Sequence, residues 1–134
     1  MSDPAHDQGM KTRREVLGEE HVDRAVANTS AFTAPFQDYI TRSAWGDVWS
    51  RPGLDRRMRS VITLTALTAL RAEHEIAMHV RAAIRNGLTP EEISEVLLHT
   101  ALYAGLPASN SAFAIAQRTL AELGYAEAEP STKA

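Results

Sequence analysis

The chain has 134 residues, a mass of 14.7 kDa and 44% hydrophobic content, the size of one ordinary domain with little room for a second independent core. Lys+Arg 14 against Asp+Glu 17 leaves a net charge of −3 and a pI ≈ 5.9, so no global positive field draws the chain onto nucleic acid or an anionic membrane. The absence of cysteine removes disulfide scaffolds, thiolate metal sites and thiol catalysis, leaving His, carboxylate, hydroxyl and Arg groups to carry any chemistry.

Abundant Ala and Leu, an aromatic content of only 6% and the lack of period-two apolar runs predict an all-helical chain with no strand. Met1–Met10 is small and polar and reads as a loose end; Met1–Gly9 has two Asp and no apolar run, so it is not a secretory signal. Short helices follow at Thr12–Leu17 and Glu19–Asn28. Thr33 and Pro35 offer a start for a helix carrying Phe36, Tyr39, Ile40 and Ala44 on one side, and Arg51-Pro52-Gly53 breaks the chain after it.

Asp55 is a good N-cap for a helix to about Arg71, in which Val61, Ile62, Leu64, Ala66, Leu67, Ala69 and Leu70 leave almost no polar face beyond threonines. The stretch is too short to span a bilayer. A helix apolar on nearly all sides must be covered on nearly all sides, either by the chain's own N-terminal helices or by another subunit. The second alternative predicts a homo-oligomer. The next helix, Glu73–Asn86, closes at Gly87, and Thr89-Pro90-Glu91-Glu92 then supplies the cap, the first-turn proline and the capping-box glutamate of a helix running to Gly105. A last helix after Leu106-Pro107 carries Phe113, Ile115, Leu120 and Leu123 and stops at Gly124, while Ala126–Ala134 reads as a second loose end. The expectation is a single domain over 1–134, packed from about Lys11 to Tyr125, with its four last helices in antiparallel succession. With no targeting segment, a cytoplasmic location is expected.

Two of the five histidines and two carboxylates crowd into Glu73-His74-Glu75-Ile76-Ala77-Met78-His79. A zinc-protease motif needs histidines four apart, whereas His74 and His79 are five apart, and no convergent ligand set is legible elsewhere, so no metal is expected. Glu75 and His79 do share a face, where a carboxylate can orient an imidazole and favour its protonated form. At a surface the same pair would do no more than add about 0.2–0.5 kcal/mol to the helix. Arg51, Arg56, Arg57 and Arg59 cluster where a long helix begins and oppose its dipole, which calls for an anion, from the protein or from a ligand. Trp45 and Trp49 share a face, as do His99 and Tyr103.

Three runs are specific enough to carry a resemblance: Ala44-Trp45-Gly46-Asp47-Val48-Trp49-Ser50-Arg51-Pro52-Gly53-Leu54-Asp55-Arg56-Arg57, then Glu73 to Arg81, then Glu91 to His99 with Tyr103-Ala104-Gly105-Leu106-Pro107-Ala108. Together they resemble the γ-carboxymuconolactone decarboxylase family of the alkylhydroperoxidase-like superfamily, over about Met10 to Tyr125. The resemblance implies an alkylhydroperoxidase-like helical bundle around a central antiparallel hairpin, assembled as a homo-oligomer, a trimer or a hexamer. Redox members of the superfamily carry Cys-x-x-Cys four residues before a His; aligned on His79, those positions are Ala72 and Glu75, so peroxidase chemistry is excluded. The implied reaction is loss of CO₂ from 4-carboxymuconolactone, a small dicarboxylate lactone, to give the enol-lactone of 3-oxoadipate in protocatechuate degradation. No cofactor is implied, because the lactone carbonyl receives the electrons. The implied roles are proton donor or oxyanion stabiliser for His79, orienting partner for Glu75, carboxylate clamp for one or more of Arg51, Arg56, Arg57 and Arg59, and apolar wall for Trp45, with His99 and Tyr103 in reserve. A non-catalytic oligomeric ligand-binding module of the same fold is the rival reading.

Overall fold

A computed structural model describes residues 3–131. Its helices divide between two compact units that meet in sequence at Arg56 and Arg57, and the described residues contain no strand.

In the first unit, α1 spans Pro4–Leu17. It starts well before Thr12 because Asp3 is an N-cap, its carboxylate accepting from the His6 N–H at 3.3 Å, with Pro4 behind it at the first helical position. The loose N-terminal end expected from composition is therefore helical from Pro4 onward. Gly9, Thr12, Arg13, Val16 and Leu17 form the buried stripe of α1, at the i, i+3, i+4, i+7 spacing of an amphipathic helix. After α2 (Glu19–Ala27) and α3 (Ala34–Ile40), the chain continues without a break into a π-helix, Thr41–Val48. Its wider turn is visible in the Trp49 N–H, which donates to the Ala44 carbonyl five residues back at 2.8 Å. Sequence periodicity misses this turn type, since one helical face looks much like another over eight residues. The expected apolar side of α3 is also not covered: Phe36 and Tyr39 are exposed.

The π-helix and α1 touch backbone to backbone. A Cβ on Gly9 would lie 2.0 Å from the Thr41 carbonyl oxygen, and one on Gly46 would lie 2.6 Å from that of Ala5. Both positions exclude a side chain because of this close approach. Thr12 and Ser50 then share a hydrogen bond at 2.8 Å, and Ser50 Oγ donates to the Trp45 carbonyl at 2.6 Å. Arg42 ties the π-helix to the Asp3 cap and to Asp38.

The second unit holds α4 (Arg56–Ala69), α5 (Glu73–Arg85), α6 (Pro90–Ala104), α7 (Leu106–Glu122) and a 3₁₀ turn, Ala126–Ala128. Its core is built on Leu64, Ile76, Val80, Ile93 and Leu97, each at most 1% exposed, with the small faces of Ala112 and Ala116 from α7. Full burial of each large aliphatic contributes about 1.5–3 kcal/mol. The capping box at Thr89 is present in full: Thr89 Oγ1 accepts from the Glu92 N–H at 3.1 Å and Glu92 Oε1 accepts from the Thr89 N–H at 3.0 Å. Gly105, at φ +99°, ends α6 in a conformation that L residues avoid, and α7 starts directly after it.

One expectation changes in this unit. Ala126–Ala128 is not loose, because Ala128 is buried against the core; Thr132 to Ala134 lie outside the described residues. Within this unit α4 is covered along one line only. Only Ser60, Leu64 and Thr68 of α4 are buried, on one i, i+4, i+8 line, while Ile62 is 50% and Leu70 77% exposed. The unit covers a stripe of this helix and leaves its other apolar side bare.

Candidate active site

The residues singled out from sequence fall in both units. Trp45, Arg51 and Arg56 belong to the first. Trp45 is 6% exposed and its ring packs against Trp49 with centroids 5.2 Å apart and planes tilted by 34°. Arg51 pairs with Asp47 at 3.1 Å and Arg56 with Glu15 at 3.6 Å, both near the surface.

Glu75, His79, Arg57, Arg59, His99 and Tyr103 belong to the second unit. The burial pattern of α5 explains the placing of its pair. Ile76, His79, Val80 and Ala83 lie on the core-facing stripe, so His79 is held at 9% exposure at its border, and Glu75 stands one turn away in solvent. His79 is the one buried histidine among the described residues; His6 and His21 are half-buried, and His74 and His99 are exposed. Burial at the edge of an apolar core gives an imidazole a fixed direction and partial shelter from water, both of which a proton donor uses. On α6, the His99 and Tyr103 rings are stacked with centroids 5.6 Å apart, and Tyr103 is 82% exposed.

Arg57 is engaged within the protein. Its fork meets Glu92 bidentately, at 2.5 Å and 3.1 Å, and Nη1 also donates to the Gly87 carbonyl. It thereby joins the start of α4 to the turn that begins α6. The guanidinium, with the Thr89 N–H, holds the Glu92 carboxyl down at about 2. The anion called for by the arginine turn is thus partly the protein's own. Arg59 is half-buried on the same helix. Arg71, at φ 58°, has its guanidinium on Glu73 at 2.8 Å, which lowers that carboxyl.

A groove of about 590 Å³ runs along α6, α7 and the 3₁₀ turn, lined by Ile93, Leu97, Phe113 and the carboxylates of Glu91, Glu95 and Glu127. It contains no histidine and no arginine, so it offers neither a proton donor of suitable pKa nor an anion receptor. Among the described residues no three His, Asp or Glu side chains converge as a metal-binding set.

Sequence reading passed over Arg13. It is 6% exposed, its Nη1 donates to Gln37 Oε1 at 3.2 Å, and its Nε is buried without a partner. The signal was available: Gly9, Thr12, Arg13 and Val16 are spaced as one buried stripe, with a cation in the middle of it.

Fold and composition together define an all-helical chain without a thiol. Residues 34–118 match the carboxymuconolactone decarboxylase family. The 4-carboxymuconolactone decarboxylase of Acinetobacter baylyi is 51% identical over 119 residues, 89% of each chain. The nitrosuccinic acid decarboxylase of Metarhizium robertsii is 45% identical over 117 residues, 87% of this chain and 82% of that one. The chain belongs to the carboxymuconolactone decarboxylase family, as the three sequence runs implied.

Proposed function

We propose that the chain decarboxylates 4-carboxymuconolactone to the enol-lactone of 3-oxoadipate. The observation that carries this reading is the 51% identity to a decarboxylase of that substrate over 89% of both chains. The chemistry asks little of the protein. The C–CO₂ bond breaks at a ring carbon conjugated through the ring double bond to the lactone carbonyl. The electron pair moves onto the carbonyl oxygen as a dienolate, and a proton then returns to the ring carbon beside that carbonyl. The substrate is its own electron sink, so the chain has to hold a dianion, stabilise the developing oxyanion and deliver one proton.

His79 is the proton donor in this reading, favoured over His99 because it is the sheltered imidazole of the two. Glu75, one turn away on α5, is its orienting partner in this reading. The arginine turn of Arg51, Arg56, Arg57 and Arg59 attracts the carboxylates, with Arg57 already committed to Glu92. Trp45 is the apolar wall, and Tyr103 is in reserve. Nitrosuccinic acid shares two features with the lactone, a second carboxyl and an electron-withdrawing group beside the departing one, and belongs in the same assay.

A homo-oligomer, a trimer or hexamer, belongs to the same reading. Its support is the apolar surface that one chain leaves bare: Ile62 and Leu70, and Leu98, Leu102, Tyr103 and Leu106, all at least half exposed. No helix among the described residues is long and apolar enough to cross a membrane, and a cytoplasmic location belongs to the same reading. The test is direct: purified protein with 4-carboxymuconolactone should release CO₂ and accumulate enol-lactone in equal amounts. Substrate that persists at micromolar enzyme would remove the reading in favour of a ligand-binding module.

A further inference from the structure

Arg13 is the anomaly among the arginines. In the first unit, Arg14 meets Glu19 at 2.6 Å and Asp23 at 2.7 Å, Arg42 meets Asp3 and Asp38, Arg51 meets Asp47 and Arg56 meets Glu15. Each of these is partly in water, where a counter-ion matters least. Arg13 is the most deeply buried arginine of the unit, and no carboxylate of the described residues lies within 4 Å of it. The charge that acts on it is that of Arg14, of the same sign. Its one hydrogen-bond partner is a neutral amide, that of Gln37, and Nε has none. A guanidinium stays protonated in any protein environment, so this is a buried positive charge left uncompensated, an arrangement folding alone disfavours.

The surroundings hold that charge in place. Arg13 sits one turn beyond Gly9, on the face of α1 that meets the π-helix with no side chain between the backbones. Gln37 is fixed in turn, since its carbonyl accepts from Thr41 Oγ1 at 2.7 Å. A π-helix is itself an uncommon element that recurs at functional sites. A planar guanidinium rigidly mounted beside an amide has the geometry that matches the two oxygens of a carboxylate.

We propose that Arg13 and Gln37 form a receptor for one carboxylate of the dicarboxylate substrate. This rests on the decarboxylase reading for the identity of the ligand, while the receptor itself is contained within the first unit. The ligand supplies the counter-ion that the described residues lack, so binding and charge compensation are one event. A carboxylate held equally in ground and transition states acts on KM more than on kcat.

The decisive variant is Gln37→Glu, which keeps the side-chain volume and places a carboxylate on Arg13 from within the chain. It should raise the melting temperature, abolish the saturable calorimetric signal of succinate, an unreactive dicarboxylate, and raise KM for 4-carboxymuconolactone at least about tenfold with kcat within about threefold of the parent. Arg13→Lys, which keeps the charge and loses the fork, should also lose succinate binding. A higher melting temperature with succinate binding and KM unchanged would overturn the receptor, and so would a melting temperature that does not rise. Loss of succinate binding with an unaltered KM would overturn the link to the substrate. Should the parent fail to turn over 4-carboxymuconolactone, the decarboxylase reading fails on its own, and the succinate comparison still decides the receptor.

Discussion

Replacing Gly9 with Ala tests the packing that underlies the first unit. At a solvent-exposed helical position the change would stabilise by about 1 kcal/mol, because alanine is the better helix former. Gly9 is not such a position. The added methyl would lie 2.0 Å from the Thr41 carbonyl oxygen and 2.8 Å from its carbon, both backbone atoms. Ordinary contact begins near 3.4 Å, so α1 or the π-helix must retreat by more than an ångström, and no flexible side chain is available to absorb it. Overpacking costs typically 1–3 kcal/mol, and a backbone clash belongs at the upper end, so the net loss after the propensity gain is about 2 kcal/mol. For a chain of this size that is roughly 6–10 °C in melting temperature. Gly53→Ala, where the added carbon meets nothing within 4 Å, is the control and should change stability little. Differential scanning calorimetry or urea titration on the pair measures the difference. Gly9→Ala as stable as the parent, or more so, would refute the close crossing of α1 and the π-helix, and with it the mounting of Arg13.

Glu75→Gln should lower kcat by less than His79→Gln, because it removes an orienting charge and leaves the proton donor; steady-state rates on 4-carboxymuconolactone order the two. Arg57→Gln should cost about 1 kcal/mol or less of stability, as a surface ion pair does, and leave KM close to the parent's, which calorimetry and kinetics check together. The Glu92 carboxyl, held at about 2 by Arg57 and the Thr89 N–H, is depressed below its unfolded value; its contribution is therefore present above the ordinary carboxylate range and lost as pH falls from about 4.5 toward 2. Melting temperature followed from pH 6 to pH 3 should fall less steeply in Glu92→Gln than in the parent. Light scattering at micromolar concentration should give a mass at least three times 14.7 kDa, and a stable monomer would remove the oligomer.

Local chemistry made much of this chain legible. The Thr89 box, the glycine stops at Gly87, Gly105 and Gly124, and the core faces of α5 to α7 follow from caps and 3.6-residue spacing, which depend on nearby residues alone. The Asp3-Pro4 start of α1 was equally local and was masked by the polar composition around it. The π-helix left no periodic trace, and the all-apolar run of α4 says that a surface is to be covered and not by what. In the candidate site, spacing placed Glu75 and His79 on one helix but could not choose between His79 and His99 as the acid; the proposal prefers His79 because it is buried and His99 exposed. The Arg57 to Glu92 pair joins residues 35 apart in sequence, and such pairings are visible only once the chain is folded. Arg13 was hidden for the opposite reason, since a cation on a buried stripe reads as an irregularity until its missing counter-ion is seen.

In the proposed mechanism His79 delivers the proton that completes decarboxylation. Turnover of 4-carboxymuconolactone in D₂O, followed by proton NMR with parent and His79→Gln, tests it most directly. The parent should give enol-lactone with one deuterium, in a single configuration, on the ring carbon beside the carbonyl; His79→Gln, still folded and oligomeric, should turn over about 10²–10⁴-fold more slowly, the value of a positioned general acid. A variant that matches the parent within about tenfold, below that range, and still sets the deuterium in one configuration would show that the proton comes from another group.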